Sequence, residues 1–282
     1  MTMPAVASKD ILAAVDLPSS GWGHLHEHHD AIDSTNDRAL AWLRETPPAP
    51  DGAVVTADRQ HAGRGRLGRA WDSSGLDLYA SVVVRPRATP HGIGALGLVV
   101  GLALAEAIEG VAPSIRVELK WPNDLWIGGR KVGGILCETR WLGDRPDIVV
   151  GFGINVGRER FEGELAERAT SLQRELGEGR PGRASLLSEA LRRLQARLGE
   201  FFAEGFSAHA TQYTARCVSL GADVWVTTTR PDGRRERIAA KAESLDADGA
   251  LRVRSAAGGP SFRVQSEDVW LARELGDKEP PC

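Results

Sequence analysis

The spacing of apolar positions divides the chain into two textures. Up to about residue 205, long apolar runs alternate with helical periodicities; beyond Cys217, short β patterns follow one another with turns between them. In the first part, Ser34 or Thr35 can cap a helix Asn36–Arg44, with Ala39, Leu40 and Leu43 on one face and Pro47, Pro48 and Pro50 ending it. Gly52–Ala57 reads as a short strand rich in β-branched residues. Leu76–Arg85 reads as a strand with apolar residues alternating at Leu76, Leu78, Ala80, Val82 and Val84, followed by a turn marked by Pro86, Pro90 and Gly92. Ile93–Ile108 is expected to be a buried helix. Val117–Lys120 and Asp124–Ile127 are short strands broken by Pro122, and Gly128–Gly129 turns the chain into a strand Lys131–Thr139. Ile148–Ile154 has the unbroken apolar character of a fully buried strand, and Ala184–Phe202 carries the stripe Leu187, Leu191, Leu194, Leu198 of a long amphipathic helix.

In the second part the expected strands are Asp223–Thr228, Glu236–Ser244, Ala250–Arg254, Ser261–Val264 and Asp268–Leu271. Pro231–Asp232–Gly233, Asp246–Asp248–Gly249 and Gly258–Gly259–Pro260 supply the turns. So many strands in so short a stretch predict a small β-barrel. The boundary falls at 214–218, and residues 1–10 read as a frayed tail.

Composition adds exclusions. At 42% hydrophobic and 26% charged, this is an ordinary folded chain, and 282 residues can bury a core without disulfide or metal staples. A net charge of -3 and a pI near 6.2 give no global positive field for nucleic acid. Cys137, Cys217 and Cys282 are odd in number and far apart, so no disulfide framework or CxxC pair is visible. The first 25 residues lack the layout of a signal peptide, which together with the cysteines points to the cytoplasm. The most apolar stretch, Gly92–Ala105, spans 14 residues, short of the roughly 20 a spanning helix needs, so no membrane association is expected.

Three runs carry candidate chemistry. Gly63-Arg64-Gly65-Arg66-Leu67-Gly68 matches GxGxxG, but a strand rather than a helix follows, which argues against a dinucleotide site. Glycines that let backbone N–H groups approach an anion, arginine forks at Arg64, Arg66 and Arg69, and the flat face of Trp71 instead suit a loop folding over a phosphorylated small molecule; a solvated basic loop or an RNA contact is the plainer alternative. The three arginines have no acidic partners within the loop, so mutual repulsion and mobility are expected when the site is empty. Lys120-Trp121-Pro122-Asn123-Asp124 bends at Pro122 and offers Asn123 and Asp124 at a strand corner, either for a ligand or as an Asx turn. Lys131-Val132-Gly133-Gly134 opens an apolar strand with a lysine that can point into a cleft or snorkel to water, and its glycines imply a close approach or a bulge. His24, His26 and His28 share one face of a strand, but no cysteine or histidine pair completes a site. An exposed edge strand is expected there, with no metal held by protein clusters. Cys137 reads as a small core residue rather than a nucleophile.

Taken together, these segments resemble the biotin protein ligases. The matching stretches are Asp33-Ser34-Thr35-Asn36, Gln60–Trp71, Lys120–Asp124, Lys131–Leu136, Gly151–Val156 and Ala169–Leu172. The resemblance covers about residues 30–205 well and the C-terminal part loosely. It implies an α/β (α+β) fold: a mixed-sheet catalytic domain of the biotin/lipoate ligase type over residues 1–215, an SH3-like β-barrel over 216–275 and a tail 276–282. The implied activity uses biotin and ATP with Mg2+ to make biotinyl-5′-adenylate. It then transfers biotin to a lysine of a biotin carboxyl carrier protein domain. In that resemblance Ser34, Thr35, Asn36, Gln60, Gly63, Arg64, Gly65, Arg66, Lys131 and Gly134 bind biotin. Arg69, Trp71, Asn123, Asp124 and Asn155 bind ATP, with Mg2+ near Asp124, and Lys131 and Arg66 are catalytic. Some members begin with a winged-helix domain; the short stretch before Ser34 shows no helix-turn-helix pattern, so specific DNA binding is not expected. A homodimer is left open. The alternative is a lipoate or octanoate ligase of the same fold, whose members lack the GRGRxGRxW run. A noncatalytic RNA-binding protein is disfavoured by the net charge of -3.

Overall fold

The computed structural model describes residues 12, 17, 21–73, 76–87, 92–142, 145–229, 234–265 and 267–275. The expected frayed N-terminus, the Pro231–Asp232–Gly233 turn, Pro90 of the expected turn before the core helix, and the tail from residue 276 lie outside them. The first part contains β1 (His26–His29), α1 (Thr35–Trp42), β2 (Val54–Ala57), β3 (Leu78–Val84), α2 (Leu96–Val111), β4 (Glu118–Lys120) and β5 (Asp124–Ile127). It continues with β6 (Arg130–Leu142), β7 (Arg145–Ile154), the short α3 (Leu165–Arg168) and α4 (Leu172–Leu176), α5 (Arg183–Glu204) and α6 (Ser207–Thr214). The seven strands form one mixed sheet in the order β1-β2-β3-β7-β6-β5-β4, with β1 parallel to β2 and the other neighbours antiparallel.

Side chains alternate across a strand, so β2, β3 and β7 present two sets of residues. Val54, Val82 and Val150 face the main core formed with α2 and α5, whose stripe Leu187, Leu191, Leu194, Leu198 is buried as the periodicity predicts. Val55, Val83 and Val149 face the other way and pack with Ala39 of α1 and Leu43 at its C-terminal end. All seven residues of β3 are buried, because α1 covers its second face. The expected exposed edge strand is β1, half-buried along its whole length beside β2. The segment Ile93–Val111 is long and apolar enough to cross a membrane by length and composition, yet most of α2 is buried in the main core alongside α5.

The second part is β8 (Asp223–Thr229), β9 (Arg235–Leu245), β10 (Leu251–Ser255), β11 (Ser261–Val264) and β12 (Asp268–Leu271), followed by α7 (Ala272–Leu275). These strands form an antiparallel meander whose last strand returns to pair with the first, in the order β11-β10-β9-β8-β12, the arrangement of an SH3-like sheet. Trp121 holds it to the main sheet. Its backbone N–H donates to Ser219 Oγ (3.1 Å) and its indole N–H to Gly249 O (3.0 Å), while Leu119 bridges to Cys217.

α6 seals the far side of the helical layer with His209, which is 0% exposed. Arg197 Nη1 donates to His209 Nδ1 (3.4 Å), so that nitrogen is a lone-pair acceptor and the imidazole is neutral. Burial and the Arg197 charge lower its pKa, against the opposing pull of Glu200, Glu106 and Glu204. A folded-state pKa below the unfolded value near 6.5 means that the unfolded chain binds the extra proton. The stabilisation is therefore complete above about pH 6.5 and is lost as pH falls toward the folded value. Urea unfolding of the wild type should show stability declining below pH 6.5, and His209→Asn should flatten that slope. An unchanged slope would show that another group carries the acid sensitivity.

Candidate active site

At the sheet end where β2 and β7 finish and β3 begins lies a cavity of about 320 Å3. The N-terminus of α1, the loop after β2, the β4–β5 turn, the first residues of β6, the segment after β7 and the β12–α7 corner all open into it. Of the residues singled out by sequence, Ser34, Thr35, Asn36, Gln60, Arg64, Gly65, Arg66, Arg69, Trp71, Asn123, Asp124, Lys131, Gly134 and Asn155 line it. Gly63 does not. Its carbonyl accepts from Trp71 N (2.8 Å) and closes the loop behind the cavity wall.

One end is lined by hydroxyl and amide side chains that hydrogen-bond one another and reach the Glu138 carboxylate. Ser34 caps α1, its Oγ accepting from Asp37 N (3.4 Å). The Thr35 N–H donates to Gln60 Oε1 (2.9 Å), whose own amide donates to Ser73 Oγ (3.1 Å). Ser81 Oγ donates to Asn36 Oδ1 (2.6 Å), and Asn36 Nδ2 donates to Leu136 O (3.2 Å) and Glu138 Oε2 (2.7 Å). Gly151 makes room for this amide: a Cβ there would sit 1.9 Å from Asn36 Oδ1.

The other end gathers cations. The loop Gln60–Trp71 is closed by Gly65 N donating to Arg69 O (2.7 Å), with a 3-10 turn Arg66–Gly68 at its tip. Leu67 sits there at φ 56°, 61% exposed. The loop itself supplies no acid to its arginines, as expected, but the mutual repulsion expected from that is relieved by acids from distant elements. Arg64 pairs with Asp37 of α1 (2.5 Å) and Glu138 of β6 (3.2 Å), and Arg69 pairs with Asp268 of β12. Arg66 Nη1 approaches Asn123 Oδ1 (3.5 Å), and burial lowers its pKa against the pull of Asp268 and Asp124. Trp71 lies flat where Gly134 and Gly153 leave space; a Cβ at either would come within 2.8 Å and 2.7 Å of its ring. The close approach expected from Gly134 is thus made by this indole, and that expected from Gly133 by the Gly153 carbonyl. Lys131 does point into the cleft, its Nζ 5.2 Å from the Trp71 ring centre and 2.6 Å from Asp124 Oδ1. Burial would raise the Asp124 carboxyl, but Lys131, Lys120 and Arg69 outweigh it and hold the carboxyl below its usual range. Asn155 is committed locally, its Nδ2 donating to Thr170 O (2.9 Å).

Several lining residues escaped the sequence reading. Lys120, almost fully buried, pairs with Glu274 of α7 (2.7 Å) between the rings of Trp126 and Trp270, each 5.3 Å away. Asp268, Trp270 and Glu274 belong to a part of the chain read only as barrel. Phe161, Leu165 and Arg168 come from the segment after β7, which shows no periodicity in the sequence. Arg158 anchors that segment by donating to buried Asp77 (3.1 Å) and to Asp72 (2.6 Å).

The fold and cavity define a mixed α/β enzyme core with an SH3-like appendage that helps to wall one site. A family model described as the biotin/lipoate A/B protein ligase family matches residues 29–155. The chain is 35% identical over 259 residues to the biotin–[acetyl-CoA-carboxylase] ligase of Mycobacterium tuberculosis, covering 89% of this chain and 90% of that protein. It is 34% identical over 234 residues to the enzyme of the same name from Paracoccus denitrificans, covering 80% and 92%. Among solved structures, the biotin protein ligase from Aquifex aeolicus in complex with biotin and ATP superposes with a TM-score of 0.74 at 28% identity, covering 88% of this chain and 99% of that one. The chain belongs to the biotin/lipoate A/B protein ligase family.

The Arg69–Asp268 pair ties the arginine loop to the second sheet. Asp268→Asn should therefore speed limited trypsin cleavage after Arg64, Arg66 and Arg69 several-fold in the ligand-free protein. An unchanged rate would show that the pair does not restrain the loop.

Proposed function

We propose that this protein activates biotin with ATP as biotinyl-5′-adenylate and transfers the biotinyl group to a lysine of a biotin carboxyl carrier protein domain. The observation that carries the reading is the continuity of one cavity from the hydrogen-bonding end at Thr35, Asn36 and Gln60 to the cationic end at Arg66 and Lys131. Biotin needs both: partners for a buried ureido group and charge for a carboxylate meeting a phosphate. The ordered hydroxyl and amide groups at Thr35, Asn36 and Gln60 give a polar ureido head a hydrogen-bonding wall that a lipoyl or octanoyl chain cannot use. That favours biotin over the alternative substrate within the family.

In the first step a biotin carboxylate oxygen attacks the α-phosphorus of ATP, forming the acyl–phosphate bond while pyrophosphate leaves. Ser34, Thr35, Asn36 and Gln60 orient the bicyclic head, and Arg64 and Gly65 cover the carboxylate. Lys131 and Arg66 stand where negative charge builds on the pentavalent phosphate and lower its energy most in the transition state. Trp71, Arg69 and Asn155 form the adenosine side. Asp124, its carboxyl held below the usual range, and Asn123 both line the cavity and offer the carboxylate and amide oxygens a hard cation takes, so these two residues would hold the Mg2+ that comes with ATP and neutralises its phosphates. In the second step the neutral amine of the carrier lysine attacks the acyl carbon, AMP leaves, and an amide forms. The cations nearby disfavour the protonated form of that amine. No protein nucleophile is required, because the adenylate is already an activated acyl donor. The cytoplasm, where carrier domains of biotin-dependent carboxylases are made, is the compartment this role implies.

Intact mass spectrometry of a carrier domain incubated with this protein, ATP, Mg2+ and an equimolar mixture of biotin and octanoate tests the reading. The carrier should gain one biotinyl group; an octanoyl adduct or no adduct would overturn it. Lys131→Ala should slow adenylate formation, measured as pyrophosphate release, by about 100-fold or more, of order 3 kcal/mol of lost charge stabilisation. Its circular dichroism should remain that of the wild type, and a folded variant of normal activity would remove Lys131 from the chemistry.

A further inference from the structure

Outside the cavity, at the same end of the sheet, three metal-ligating side chains converge. His28 is the next-to-last residue of β1, Asp30 follows the strand, and Asp58 follows the parallel neighbour β2. One donor atom from each lies within 4.8 Å of the other two. We propose that His28, Asp30 and Asp58 form a binding site for a divalent transition-metal ion of the Zn2+ class, held by one imidazole nitrogen and two carboxylate oxygens.

The first argument is the separation of the donors. His28 Nε2 and Asp58 Oδ2 are 3.7 Å apart, too far for a hydrogen bond. Two ligands of one ion, each at about 2.0–2.2 Å from it, lie up to about 4 Å apart, so the gap suits a shared cation. The second is the outer shell. Thr56 Oγ1 lies 2.9 Å from His28 Nδ1 and 2.7 Å from His26 Nε2. A hydroxyl has one proton, so it can donate to His26 while accepting from His28. In that arrangement His28 carries its proton on Nδ1 and turns the Nε2 lone pair toward the carboxylates, the form that binds a cation. Asp58 is fixed in the same way, because Arg183, 0% exposed, donates to its Oδ1 (2.7 Å) and leaves Oδ2 for the site. Metal-binding histidines and carboxylates are characteristically oriented by such partners.

Charge is consistent with this. Two carboxylates and one guanidinium leave the cluster at -1 with a neutral imidazole, and a divalent ion brings it to +1. One imidazole with two carboxylates is a donor set for Zn2+, Co2+, Ni2+ or Mn2+ rather than for a thiolate-seeking ion. Asp30 is exposed, so an ion can enter from solvent.

The site also has a route to the cavity. Two residues beyond Asp30 and Asp58, Ile32 bridges to Gln60, and Gln60 Oε1 accepts from Thr35 N (2.9 Å). An ion joining β1 to β2 would hold together the two segments that carry Thr35 and Gln60.

Equilibrium dialysis of the full-length protein against ZnCl2, in excess Mg2+ to mask sites that need only carboxylates, should find one Zn2+ per chain. Asp30→Asn changes an exposed side chain and keeps the fold; it and His28→Gln should each weaken Zn2+ binding at least tenfold. His24→Gln, the neighbouring exposed histidine, should leave it unchanged. Co2+ substitution should give visible absorption bands that Asp30→Asn removes. Absence of stoichiometric Zn2+ in the wild type, or Zn2+ binding that survives both Asp30→Asn and His28→Gln, would overturn the proposal.

Discussion

The cavity depends on one constraint: several cations share a small space before any anion is there to neutralise them. Arg64, Arg66, Arg69, Lys120 and Lys131 all line it. Two unit charges about 8 Å apart at an effective dielectric near 20 repel by roughly 2 kcal/mol, so such a cluster would spread or pull its loop into solvent. The structure compensates by assigning acids from different elements. Asp124 takes Lys131, Glu274 takes Lys120, Asp268 takes Arg69, and Asp37 with Glu138 takes Arg64. The architecture follows from that pairing. α1, β5, β6, β12 and α7 must all reach one sheet end, which is why the SH3-like sheet is docked there through Trp121 and why a glycine-rich loop can remain folded over the site.

A second consequence concerns glycine. Gly134, Gly151 and Gly153 lie on adjacent central strands, where glycine weakens a sheet by offering no side chain to pack. Each is required by what lies on top of it: the Trp71 ring over Gly134 and Gly153, and the Asn36 amide over Gly151. The sheet thus gives up local packing to seat the aromatic face and the polar relay at fixed depth. Both ends of the cavity rest on the same β6–β7 pair, so the distance between them is set by strand geometry rather than by a flexible loop.

Much of this was legible in the sequence because the signals were local. The leucine stripe of α5, the short β patterns after Cys217, and the Gly-Arg, Lys-Trp-Pro-Asn-Asp and Lys-Val-Gly-Gly runs all declare themselves within a few residues. The alternation of β3 marks it as a strand, but nothing nearby in the sequence says that α1 covers its second face. The acidic partners of the arginines were invisible for the same reason: Asp268 is far from Arg69 in sequence and Glu138 far from Arg64, and only the fold unites them. Lys120 and Glu274 were missed as a pair because Glu274 sits in a short terminal helix with no periodicity to mark it. The histidines of β1 could be placed on a strand, but their carboxylate neighbour Asp58 follows the parallel strand β2, so period-two counting along one segment could not find it.

The central claim is that one cavity holds biotin at the Thr35–Asn36–Gln60 end and the adenylate phosphate at the Arg66–Lys131 end. A crystal structure of this protein with biotinyl-5′-adenylate measures that directly. The account predicts the ureido group hydrogen-bonded to that first set, the phosphate within hydrogen-bond distance of Lys131 Nζ and the Arg66 guanidinium, and the adenosine beside Trp71 and Asn155. An adenylate bound with its phosphate out of reach of both cations, or with its bicyclic head away from the relay, would contradict it.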